Sequence, residues 1–128
     1  MPVKLEWYYP EHTIQHYVFT GYWTWEEFYP LFEQGIQMVI EAQHRVDTIV
    51  DFTTTNHLPP SALTHLRIIA EKQTSNAGLA IFVTKSAILL SLFKVGVTVY
   101  PKIKHYFRML PTEAEALAII ETTRTNAP

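Results

Sequence analysis

The stretch VDTIVDFTTTNHLPPSAL, residues 46–63, decides how the chain is read. Ile49, Val50 and Phe52 stand almost together, as in a parallel strand covered on both faces. The polar loop Thr53-Thr54-Thr55-Asn56-His57 follows, and then Pro59-Pro60-Ser61, which opens a helix. That helix spans about residues 60–73, with Leu63, Leu66, Ile69 and Ala70 on its inner side. Open α/β sheets place ligand sites at the carboxyl ends of such strands.

The same grammar extends in both directions. Residues 3–9 and 13–20 alternate and are separated by the turn Pro10-Glu11-His12, which makes them an antiparallel hairpin. Thr24-x-x-Glu27 is a capping box. It opens a helix whose apolar face is Trp25, Phe28, Phe32, Ile36, Val39 and Ile40. Pro30 falls within it, where a kink is expected, and His44-Arg45 suit its C-terminus. Downstream, 75–78 is a break, 79–83 a second continuous apolar strand, 86–96 a helix apolar almost all round, and 104–109 a last strand. Thr112-x-x-Glu115 caps a final helix with Ala116, Leu117, Ile119 and Ile120 facing inward. The order is ββαβαβαβα: an α/β fold with a mixed, mostly parallel sheet and an N-terminal antiparallel hairpin.

Length and composition agree. A chain of 128 residues fits a single domain, here 1–124, with residues 125–128 as a frayed tail. The chain has no cysteine, which removes disulfides and thiolate chemistry and fits a reducing, cytoplasmic setting. Ten basic and 12 acidic residues, unclustered, give no electrostatic reason to expect nucleic acid. The apolar run 79–100 is interrupted by Lys85 and Lys94, so a strand plus a helix explains it better than a membrane span. The six histidines show no ligand spacing of the His-Glu-x-x-His kind, and no metal or other cofactor is expected. His12 and His16, at even spacing, are expected to share a strand face. There is no phosphate loop, no Gly-x-Ser-x-Gly and no nucleophile paired with a base, so the chain reads as a non-enzyme.

Two segments carry a family resemblance. The first is the strand, loop and helix start at 46–63; the second is HYFRMLPTEAEALAII, residues 105–120. With the element order, they resemble the SpoIIAA-like family, the STAS-type domains of bacterial anti-sigma-factor antagonists and their relatives, and the second segment is similar to the closing strand of its STAS/SEC14-like branch. The resemblance implies a SpoIIAA-like fold and a regulatory domain that docks a protein partner in a bacterial cytoplasm. In phosphorylated members the matching helix starts with an Asp-Ser-Ser/Thr-Gly-Leu type motif. Here Ser61 and Leu63 fit that pattern, while Pro59 and Ala62 replace its aspartate and glycine, so the phosphoswitch is expected to be lost.

Two sets of residues are candidates for function. Asp51, Thr53, Thr54, Thr55, Asn56 and His57 can line a polar pocket, with Ser61 as a phosphosite beside it. Equally, they can close Asx and Ser/Thr turns, with the Ser61 hydroxyl capping its helix. In the third helix only Ser91 and Lys94 are polar between positions 87 and 97. Packing on a sheet hides one stripe of a helix. The opposite stripe, with some of Leu89, Leu92 and Phe93, is expected to form a homodimer interface. Alternatively, the apolar helix walls a pocket for a small apolar, lipid-like ligand. The aromatic crowd Trp7, Tyr8, Tyr9, Tyr17, Tyr22, Trp23 and Trp25 fits either a thick core or a covered surface.

Overall fold

The turn at residues 10–12 reverses the chain, so β1 (Val3–Trp7) pairs antiparallel with β2 (Ile14–Thr20), with Val3 opposite Phe19 and Trp7 opposite Gln15. Each later strand is returned by a helix and therefore runs parallel to its predecessor. In a computed structural model describing residues 2–125, α1 (Trp25–Ala42) leads to β3 (Val46–Thr54), α2 (Ala62–Glu71) to β4 (Ala77–Val83), and α3 (Ala87–Val99) with α4 (Pro101–Tyr106) to β5 (Phe107–Leu110). Helix α5 (Glu113–Thr125) closes the described chain. The sheet order is β1-β2-β3-β4-β5, so strands are laid down in sequence from the hairpin edge.

Both faces of β3 and β4 are covered, which is why their apolar residues do not alternate. On one face Tyr17, Phe19, Val50 and Phe52 meet Phe28 and Phe32 of α1, Ile69 of α2 and Leu89 of α3. On the other, Ile14, Ile49, Ile81 and Val83 pack against Ala116 and Ile120 of α5. The result is a single α/β domain of three layers.

Several boundaries differ from the sequence reading. The element order is ββαβαβααβα among the described residues, because residues 104–106 are helical. Pro101 opens α4 and Ile103 is fully buried beside Ala70, Ala80 and Phe107, which holds that segment in a turn and shortens β5 to four residues. Helix α1 stops before His44 because Gln43 takes a left-handed conformation (φ 58°), and the Asn76 carboxamide donates to the carbonyls of Val39 and His44. Pro30 lies within α1 without ending it; the Glu26 carbonyl that it cannot bond is on an exposed residue. The expected break at 75–78 is half strand, since β4 already includes Ala77 and Gly78. Gly78 is required there: a Cβ would collide with the side chains of Asp47 and Arg45. Thr125 still belongs to α5, and the rest of the expected tail, 126–128, lies outside the described residues.

Of the two expected capping boxes, the one at Thr24 forms completely and the one at Thr112 by its hydroxyl bond alone among the described residues. The Thr24 hydroxyl accepts from the Glu27 N–H (3.2 Å) and the Glu27 carboxylate accepts from the Thr24 N–H (3.1 Å), a complete capping box. The Thr112 hydroxyl accepts from the Glu115 N–H at 3.2 Å. Among the described residues no helix is long and apolar enough to cross a membrane.

Candidate functional site

The polar junction after β3 is a self-contained loop. The Asp51 carboxylate accepts from the Thr53 N–H (2.8 Å) and hydroxyl (2.6 Å), an Asx turn. The Thr54 hydroxyl donates to the Phe19 carbonyl at 3.0 Å. The Thr55 hydroxyl donates to the Gly21 carbonyl (2.5 Å) and accepts from the His57 N–H (3.1 Å). These groups bind the loop to β2 and to itself rather than converging on a ligand. Asn56 is exposed, and the His57 ring stacks on Tyr22 at 3.9 Å.

Ser61 is not a side-chain cap. It stands at the N-cap of α2 in a left-handed conformation (φ 65°, ψ 32°), and its exposed hydroxyl makes no capping bond. An N-cap hydroxyl ordinarily bonds the first-turn N–H groups from an extended backbone, which Ser61 does not have.

Two tryptophans that sequence reasoning counted only as aromatic bulk hold this loop down. The indole N–H of buried Trp23 donates to the His57 carbonyl (2.9 Å), and that of Trp25 to the Pro60 carbonyl (2.8 Å). Their partners lie 34 and 35 residues away, and nothing in the local sequence signals the pairing. Beside them the His65 ring stacks on Trp25 at 4.1 Å, and its Nδ1 lies 2.5 Å from the Tyr29 hydroxyl. Burial lowers the His65 pKa and raises that of Tyr29. Both shifts favour the uncharged forms, so the two share a neutral hydrogen bond whose direction follows the His65 tautomer.

Beneath the junction lies the more informative feature. A cavity of about 140 Å³ lies between the inner sheet face and α1, α2 and α3. Trp23, Phe28, Phe52, Leu66, Phe82 and Leu89 contribute to its wall. The α3 residues expected at an interface are instead part of this interior. Leu89 is buried, and half-buried Leu92 and Phe93 also line the cavity. The outer face of α3 carries Ile88, Leu90, Val95 and Val99, of which Ile88 is 78% exposed. The outer stripe expected at Leu89, Leu92 and Phe93 is thus formed by other residues of α3. The polar residues Ser91, Lys94 and Thr98 are exposed as well, on the side of the helix away from Leu89.

The histidines are scattered. His12 lies in the turn, stacked on Trp7 at 4.5 Å, so strand alternation does not relate it to His16. His16 Nδ1 is 3.6 Å from the Glu6 carboxylate, while its Nε2 is buried without a hydrogen-bond partner. Among the described residues no three His, Asp or Glu side chains form a cluster able to hold a metal ion. Tyr8 reaches Glu113 at the start of α5, and hydrogen bonding to that carboxylate, followed by burial, pushes its pKa up to about 12.

A second polar cluster sits at the opposite end of the sheet, where β3 begins. Asp47 is fully buried and lies 2.8 Å from Arg45 and 2.7 Å from Arg124, and it accepts the Leu79 N–H at 2.8 Å. This cluster joins β3, β4 and the end of α5, and it is a structural tie. No family model matches the chain, and no curated protein matches it in sequence.

Proposed function

We propose that the chain is a non-catalytic, STAS-type domain with a SpoIIAA-like fold that binds a small apolar ligand between its sheet and α1–α3. One observation carries the reading: the apolar cavity of about 140 Å³ under the β3–α2 junction. A dry apolar cavity of roughly 150 Å³ accepts one benzene, so the space suits a ligand with a single ring or a short branched chain rather than a whole lipid. The non-catalytic part is supported by the loop chemistry, since Asp51, Thr54 and Thr55 are engaged in turn and backbone bonds. Strands alternating with helices behind an N-terminal hairpin support the family reading. That reading carries the expectation of a bacterial cytoplasmic protein without a working phosphoswitch at Ser61. Binding would act outward through α2 and α3, which wall the cavity.

The experiment is native mass spectrometry of freshly purified protein, together with a toluene titration followed by amide NMR. Retained ligand mass, or saturable toluene shifts at Phe52, Phe82 and Leu89, supports the reading. Protein that carries nothing and shows no saturable shift removes it.

A second reading, a protein-interaction domain that pairs with another copy of itself, is favoured by the outer stripe of α3. Ile88, Val95 and Val99 are each at least half exposed (78%, 50% and 55%) and follow a helical spacing. A symmetric contact there would be self-complementary and should bury more than about 1,000 Å² in total. Sedimentation of the parent beside Val95→Glu tests it. A parent that is monomeric at every accessible concentration ends it.

A further inference from the structure

The cavity is not uniform along its length. Its aromatic wall lies toward the carboxyl ends of the strands, at Phe52 and Phe82, beneath the loop that Trp23 holds. Toward the ends where β2 and β3 begin, the lining turns polar. Gln15 and Thr48 are register partners there, side by side on the face of the sheet that meets α1–α3. Lys72, at the C-cap of α2, is an exposed residue of the lining and its only charged member among the described residues.

These groups are not used up by the fold. Gln15 is 3% exposed; its carboxamide donates to the Gly35 carbonyl (2.7 Å), which leaves a second N–H. The Thr48 hydroxyl, half-buried on an inner strand, makes no hydrogen bond among the described residues. Glu71, the acid next to Lys72, is taken by Arg67 at 3.1 Å, so it does not neutralise the ammonium. The Thr48 oxygen is not fully buried, so it is accessible from the cavity. Other polar residues at this end are internally satisfied: Gln73 donates to the Ile69 carbonyl and Thr74 to Asn76.

We propose that the ligand is a small amphiphilic monocarboxylate. Its apolar body lies against Phe52 and Phe82, and its carboxylate accepts from Thr48 and Gln15 with Lys72 closing the mouth. This rests on the cavity reading above and names the chemical class that would fill it. A carboxylate suits the site because a Gln15 N–H and the Thr48 hydroxyl can donate to it and the charged residue of the lining is a lysine, while the Gln15 Oε1 remains an acceptor that takes no part. Lys72 is exposed, so the ligand would enter past it.

The test compares two probes, phenylacetate and toluene, by amide NMR titration on the parent, Lys72→Met and Thr48→Val. Phenylacetate should lose about threefold in affinity with Lys72→Met, as an exposed ion pair would. With Thr48→Val it should lose about tenfold or more, as a hydrogen bond to a charged group would. Toluene should bind all three proteins alike, which also shows that the variants fold. Toluene binding with phenylacetate indifferent to both substitutions overturns the head-group assignment and leaves the cavity reading standing. Failure of both probes to bind overturns the two together.

Discussion

Replacing Asp47 by Ala should be among the most damaging single changes in this protein. The side chain is 0% exposed, yet it meets two arginines and a backbone N–H from three separate segments. Loss of the acceptor for the Leu79 N–H costs about 1–3 kcal/mol, because that donor is left without its partner. Loss of the charge-assisted bonds to Arg45 and Arg124 adds to this. Both arginines are about one-third exposed and can turn to water, so their share is smaller than that of a fully buried pair. The total expected is about 3–5 kcal/mol, the range for breaking a buried pair by removing one partner. Arg124→Ala should cost less, about 1.5–3 kcal/mol, because Asp47 keeps Arg45 and the Leu79 N–H. Urea unfolding of the parent, both single variants and the double variant measures this. The double variant should cost much less than the sum of the singles, since both remove one ion pair. An Asp47→Ala cost below about 1 kcal/mol, or strict additivity, would refute the view that this acid ties β3 to α5.

Gly78→Ala should destabilise by at least about 1–3 kcal/mol, because the new methyl collides with Asp47 and Arg45; a melting temperature equal to the parent's would contradict it. Thr24→Ala should cost about 0.5–2 kcal/mol, and adding Glu27→Ala should cost less than the separate effects predict, since both belong to one box; denaturant titration of the cycle reads this directly. Ser61→Gly should leave stability unchanged or raise it by up to about 1 kcal/mol, because Ser61 is left-handed and makes no cap bond; a loss of that size would show that its hydroxyl is needed. His65 has a folded pKa below its ordinary value of 6.5, so the unfolded chain takes up its proton first. Stability should therefore fall as pH drops below about 6.5 toward the lowered folded value, and His65→Gln should remove that part of the pH dependence in paired unfolding curves.

The elements that sequence made legible are those fixed by neighbours along the chain. The capping box at Thr24 needs only Glu27 three residues on, and it formed as spaced. The runs around Ile49 and Ile81 lack alternation because both faces are covered, and they are adjacent parallel strands. The turn at 10–12 separates two alternating segments, and the hairpin follows.

What only the tertiary structure decided depends on partners far apart in sequence. The threonines after Asp51 could have lined a pocket or closed a turn; bonds to the carbonyls of Phe19 and Gly21, more than 30 residues away, made them a stapled loop. Gly78 was read as a break, whereas the packing of Asp47 and Arg45 makes it a strand residue without a side chain. Residues 104–106 were expected to begin the last strand, but burial of Ile103 beside Ala70 of α2 and Ala80 of β4 holds them in α4. Helix α3 carries only a thin polar stripe, Ser91, Lys94 and Thr98, which is exposed and marks the side away from buried Leu89, but it leaves apolar flanks such as Ile88 that the sequence alone does not sort. The cavity follows the same logic: its wall is drawn from four strands and three helices, and no local pattern along the chain encodes the space between them.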